Sequence, residues 1–108
     1  MTPVIVFTTV GATQDVDSIA TRLVEKRLAA CVNIIPRIYS VYRWKDSLER
    51  DSEQMLLIKT TDERLTELRE TLFAVHPYEV PEFVVVRIDD LSDAYRSWLV
   101  DQVQRGEK

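Results

Sequence analysis

Apolar positions along this chain alternate between continuous runs and runs spaced three or four apart, and the alternation lays out its elements. Val4-Ile5-Val6-Phe7 is an unbroken β-branched and aromatic run, the signature of a central strand covered on both faces. From Thr13 or Asp15 the spacing changes: Val16, Ile19, Ala20, Leu23 and Val24 share one helical face while Asp17, Arg22, Glu25 and Lys26 share the other, predicting a helix that ends near Ala29-Ala30. Cys31 to Ile35 reads as a second strand. Pro36 has no amide to donate, so it bends or bulges that strand rather than ending it. Ile38 to Trp44 continues extended for about 20 Å, followed by a charged turn, Lys45 to Asp51, and a third strand, Glu53 to Lys59.

Thr60-Thr61-Asp62-Glu63 has the form of a helix capping box, and Leu65, Leu68, Leu72 and Val75 follow at helical spacing, predicting a second helix that runs to Pro77. Phe83 to Ile88 is a fourth apolar run, and Ser92 stands where it caps a last helix with Tyr95, Trp98, Leu99 and Val103 as its stripe. The order is β-α-β-β-α-β plus a C-terminal helix. That order defines an α/β protein of the α+β kind: a ferredoxin-like βαββαβ sandwich with an extra C-terminal helix and a long hairpin between the second and third strands. The hairpin carries Tyr39, Tyr42 and Trp44 beyond what a small core needs, so this aromatic overhang predicts a partner surface.

Composition narrows the class. At 108 residues the chain is read as a single domain, 1–108, burying roughly 65% of its unfolded surface. A net charge of -4 with dispersed Lys and Arg argues against a nucleic-acid partner, which would call for clustered positive charge. One cysteine cannot close an internal disulfide, and no apolar run reaches the length of a membrane span. The first ten residues lack the basic start of a signal peptide and read as strand. The expected compartment is the cytoplasm.

The chemistry concentrates in His76-Pro77-Tyr78-Glu79-Val80-Pro81-Glu82, which holds the only histidine. Two prolines fix φ and hold His76 and Val80 extended, so the loop is a stiff connector between helix and strand, and equally a frame for a polar or metal site. No P-loop, G-x-G-x-x-G, C-x-x-C, H-E-x-x-H or G-x-S-x-G occurs, and the expectation is a protein that is not an enzyme. Cys31, between Ala30 and Val32, is expected to be a buried and inert thiol. One His and one Cys cannot complete a closed transition-metal site in a single chain, which leaves His76, with Glu79 and Glu82, as a weak site or one shared between subunits. Asp89, Asp90 and Asp93 read as helix-cap and dipole residues rather than a Mg²⁺ or Ca²⁺ site. Arg43 and Lys59 offer a weak alternative for a small anion.

Taken together, Ala29-Ala30-Cys31-Val32-Asn33, Ser40 to Trp44, Glu53, Leu57 to Thr60, His76 to Glu82 and Tyr95-x-x-Trp98-Leu99 resemble the CutA divalent-cation-tolerance family across nearly the whole chain. The resemblance implies the same fold, a tight homotrimer that exchanges the long hairpin, a cytoplasmic location, and a role in the response to metal ions, copper above all. Copper-binding bacterial relatives carry a cysteine and a histidine pair where this chain has Thr8 and Val75-His76, so only His76 is retained. No tightly bound cofactor is expected, and Cu²⁺ or another divalent cation is the expected ligand. Imidazole plus carboxylate should favour Cu²⁺ over Zn²⁺, with binding fading as His76 protonates near about pH 6.5. The family's likeness to trimeric PII signalling proteins implies an alternative, a small anionic ligand in an intersubunit cleft lined by Trp44, Lys59, His76, Tyr78 and Glu82. Glycine is the family's usual residue at the position of Asp46.

Overall fold

The elements form in the order β1 (Pro3–Gly11), α1 (Val16–Glu25), β2 (Cys31–Trp44), β3 (Ser47–Thr61), α2 (Leu65–Val75), β4 (Val84–Arg87) and α3 (Asp93–Val103). This is a computed structural model that describes residues 1–104. The strands lie in the order β2-β3-β1-β4, each antiparallel to its neighbour. β1 and β2 therefore run parallel with β3 between them, the split βαβ pairing of a ferredoxin-like sandwich.

Strand pleating sorts the side chains onto two faces. Val4, Val6 and Val10 of β1, with Leu56 and Ile58 of β3, meet Val16 and Leu23 of α1 and Leu68 and Leu72 of α2 in the main core. A smaller core joins Leu99 and Val103 of α3 to Ala30 and Leu91. The opposite face carries Ile5, Phe7 and Leu57, with Val84 and Val86 in register beside them. Val84 and Val86 are exposed there, and Ile5, Phe7 and Leu57 are half-buried. Within one chain, then, the first strand is covered on one face only, against the expectation of cover on both.

Three local expectations change. The first helix stops at Glu25, short of Ala29-Ala30, because Arg27 takes φ 58° and the amides of Leu28 and Ala29 turn back to the Leu23 carbonyl. That turn drops Leu28 and Ala29 into the core. Thr60 caps no helix: it pairs with Val4 as β3 runs on to Thr61, a 3-10 turn occupies Asp62–Arg64, and no side chain caps that turn or α2. A continuous ladder satisfies more backbone groups than an early cap would. The charged segment from Lys45 to Asp51 is mostly strand, since pairing extends to Trp44 opposite Ser47 and the turn is Lys45-Asp46 alone. Both turn residues have positive φ, 49° and 68°, as the tight hairpin turns that match strand twist require. Pro36 does act as expected, with the register shift falling between Ile35 and Ile38. The shift resets the facing of β2, so Tyr42 and Trp44 point to the open face with Glu53 while Tyr39 points to the other.

Candidate functional site

Helix α2 ends at His76, which takes the extended conformation that Pro77 favours (φ −76°, ψ 131°). Its ring turns back against β1, with Nε2 2.9 Å from the Thr9 carbonyl and Nδ1 3.2 Å from the Tyr78 amide. An amide only donates, so Nδ1 is the acceptor and Nε2 carries the proton given to Thr9. His76 is 8% exposed, and burial holds its pKa below the ordinary value.

Tyr78 packs edge-on against that imidazole, ring centres 4.9 Å apart, and its hydroxyl donates to Glu53 Oε2 at 2.6 Å. Burial first, then the bond to Glu53, pushes the Tyr78 phenol well above its ordinary value. Glu53, on β3 opposite Gly11 and Ile38, is 5% exposed. Over these residues opens a cleft of about 650 Å³. Its floor is Thr9, Ile38, Glu53 and Met55, one wall is the hairpin face with Tyr42 and Trp44, and the other wall is the loop from Pro77 to Glu82. Burial, and then the charge of Glu53, raises the Glu82 carboxyl above its usual range. Tyr42 donates to Asp51, and that bond is the main cause of a phenol pKa pushed up to about 12. At the rim Lys45 meets Glu79 at 3.5 Å, an exposed pair that contributes little.

The cleft brings Trp44, Tyr78, Glu79 and Glu82 together. His76 supports Tyr78 from beneath instead of facing the cleft as a free ligand, because both of its ring nitrogens are hydrogen-bonded within the chain. Lys59 does not join them: it lies opposite Cys31, with Nζ 5.8 Å from the Tyr95 ring centre. Among the described residues, no three His, Cys, Asp or Glu side chains gather to hold a metal ion, so His76, Glu79 and Glu82 form no chelate within one chain. Thr8 is fully buried opposite Leu56, on the helix-covered face of the sheet. Cys31 is half-buried rather than buried, its Sγ 3.8 Å from both the Tyr95 hydroxyl and Asn33 Oδ1. Ser92 accepts from the Tyr95 amide at 3.3 Å with Asp93 in the first turn, which is the capping arrangement the sequence implied. Spacing alone does not mark Glu53 as a site residue, although a carboxylate followed by Gln54 at the head of the apolar run Met55-Leu56-Leu57-Ile58 was the available signal.

A family model for the CutA1 divalent ion tolerance protein matches residues 4–102. The chain belongs to the CutA1 family. It is 44% identical to the divalent-cation tolerance protein CutA of Thermus thermophilus, over 88% of this chain and 92% of that one. It is 47% identical to a CutA homolog of Xenopus laevis over 79% of this chain, but spans only 56% of that longer protein. The solved structure of the Thermus thermophilus divalent cation tolerance protein superposes with a TM-score of 0.90 at 41% identity, covering 94% of this chain and 99% of that one. CutA1 membership and the ferredoxin-like sheet thus agree with each other and with the order of strands read above.

Proposed function

We propose that this CutA1-family chain acts in divalent cation tolerance as a cytoplasmic, non-catalytic homotrimer that binds cations weakly. The observation that carries the ligand's sign is the cleft, whose charged lining groups are the carboxylates Glu53, Glu79 and Glu82, with no Lys or Arg among them. An anionic ligand in the cleft of one chain would meet these carboxylates, with Lys59 further along β3 and outside the lining, so the geometry favours a cation. Among the described residues no three His, Cys, Asp or Glu side chains gather to hold a metal ion, which supports a site weak in each subunit or completed by a second copy. The Irving–Williams order then ranks Cu²⁺ above Zn²⁺, with Mg²⁺ weakest.

The open face of the sheet around Val84 and Val86, and Tyr39 on the hairpin face turned away from the cleft, support self-association, since both leave apolar surface exposed for a second copy to cover. Titration calorimetry with Cu²⁺, Zn²⁺ and Mg²⁺ tests the ligand reading on wild type, Glu53→Gln and His76→Ala. Weak binding in that order, reduced in Glu53→Gln, is expected. Binding of a nucleotide anion with no response to any of the metals would replace this reading with the PII-like signalling one.

A further inference from the structure

We propose that the cleft between the hairpin and the 76–82 loop is a binding site for an organic ammonium ion, a positively charged nitrogen carrying an apolar body. This goes beyond metal binding, and four features support it. A cleft of about 650 Å³ falls in the size range of small-molecule pockets and far exceeds a bare ion. Its walls present Tyr42, Trp44 and Tyr78, aromatic rings whose faces attract alkylammonium groups. Lys45 already shows that use of the wall, with Nζ 5.5 Å from the Trp44 ring centre.

The third feature is Glu53, a carboxylate 5% exposed that accepts one hydrogen bond, from Tyr78 to Oε2, and forms no ion pair among the described residues. Its other oxygen has no partner among them, on a side chain that lines the cleft. A buried carboxylate without a counter-charge is costly, and a cation entering the cleft would relieve it. Glu82 feels that charge too: its carboxyl is raised first by burial and then by the nearby Glu53. The fourth feature is dispersion: these carboxylates stand too far apart for three of them to chelate one metal ion. Separated acidic groups around aromatic walls suit a cation with bulk.

The test uses the intact protein carrying Trp98→Phe, which leaves Trp44 as the one tryptophan of the two in the chain. Its fluorescence is followed during titration with choline, with 3,3-dimethyl-1-butanol as the neutral isostere of nearly the same shape, and with butyrate. Choline should produce a saturable change, with the neutral isostere weaker by about tenfold or more and butyrate silent. Glu53→Gln, which can still accept from Tyr78, should weaken choline by a similar factor while leaving the isostere unchanged. Equal binding of choline and its isostere, or no saturable response to choline, overturns the proposal without recourse to any variant of Glu53. A Glu53→Gln protein that folds and binds choline like wild type overturns it as well. Metal titrations on the same sample keep the two readings apart, since choline binding without metal binding sinks only the metal reading, and the converse sinks only this one.

Discussion

His76 shows how a residue typical of metal sites becomes part of the scaffold. With Nδ1 accepting from Tyr78 and Nε2 donating to Thr9, the ring ties the loop to β1 and positions Tyr78 against Glu53. His76→Ala should therefore cost about 1–3 kcal/mol in denaturant unfolding, because the Thr9 carbonyl loses its donor and the Tyr78 ring its support. The pH dependence has a definite sign. The folded-state pKa of His76 is lowered from 6.5, so below that value the unfolded chain takes up a proton that the native state resists. Stability from this group is lost as pH falls through the window beneath 6.5 and is level above it. Glu82 opposes this, since its pKa is raised above 4.5 and its contribution falls as pH rises through the window just above. Comparing wild type with His76→Gln isolates the histidine, because Glu82 is common to both. Wild type should lose more stability than the variant between about pH 7.5 and about pH 5.5, and parallel pH profiles would refute the buried neutral imidazole. Tyr78→Phe should cost about 1–3 kcal/mol, seen as a lower denaturation midpoint, because it leaves the Glu53 carboxylate with no hydrogen bond. That Glu53 and His76 share Tyr78 was not readable from their 23-residue separation in sequence; it depends on the ring turning back towards the sheet.

At the scale of elements, signals that act within a few residues survived folding and those that compete with pairing did not. Pro36 bulges β2 because a missing amide has the same consequence in any sheet, and Ser92 caps α3 because its hydroxyl reaches only the local amides. The capping box at Thr60 lost to the ladder with Val4, and the hydroxyls of Thr60 and Thr61 are buried with no hydrogen-bond partner among the described residues. The hairpin turn was unreadable for a related reason. Neither Lys45 nor Asp46 is a glycine, yet both adopt left-handed backbone because the long pairing of β2 with β3 continues to Trp44 and Ser47. Asp46→Gly should relieve strain at φ 68° and raise stability by about 0.5–1 kcal/mol, net of the extra freedom glycine gives the unfolded chain. Thermal unfolding of the two proteins measures it, and a lower midpoint in Asp46→Gly would show that Asp46 contributes something other than its backbone.

For the molecule as a whole, the sheet has one face covered by α1 and α2 and another left partly open, with an extended shape of 49 × 27 × 21 Å that the hairpin lengthens. Light scattering during gel filtration should give three times the 12.6 kDa chain mass, and a monomer at micromolar concentration would remove the self-association reading. Replacing Val84 and Val86 by Asp should lower that mass, because both valines lie exposed on the open face. The amino-acid sequence by itself determined the element order, the bulge, the cap of α3 and the family, because hydrophobic period, proline and serine act through the local backbone and motif spacing is a property of the chain. It also marked the 76–82 loop as the place for chemistry. Only the tertiary structure decided what the side chains there do. Strand pairing moved the ends of β2 and β3, the shifted register sent Tyr42 and Trp44 to one face and Tyr39 to the other, and the inward turn of His76 left Glu53 as the buried charge of the cleft. Facing and burial depend on which distant strand lies opposite, and that is fixed only when the whole sheet has formed.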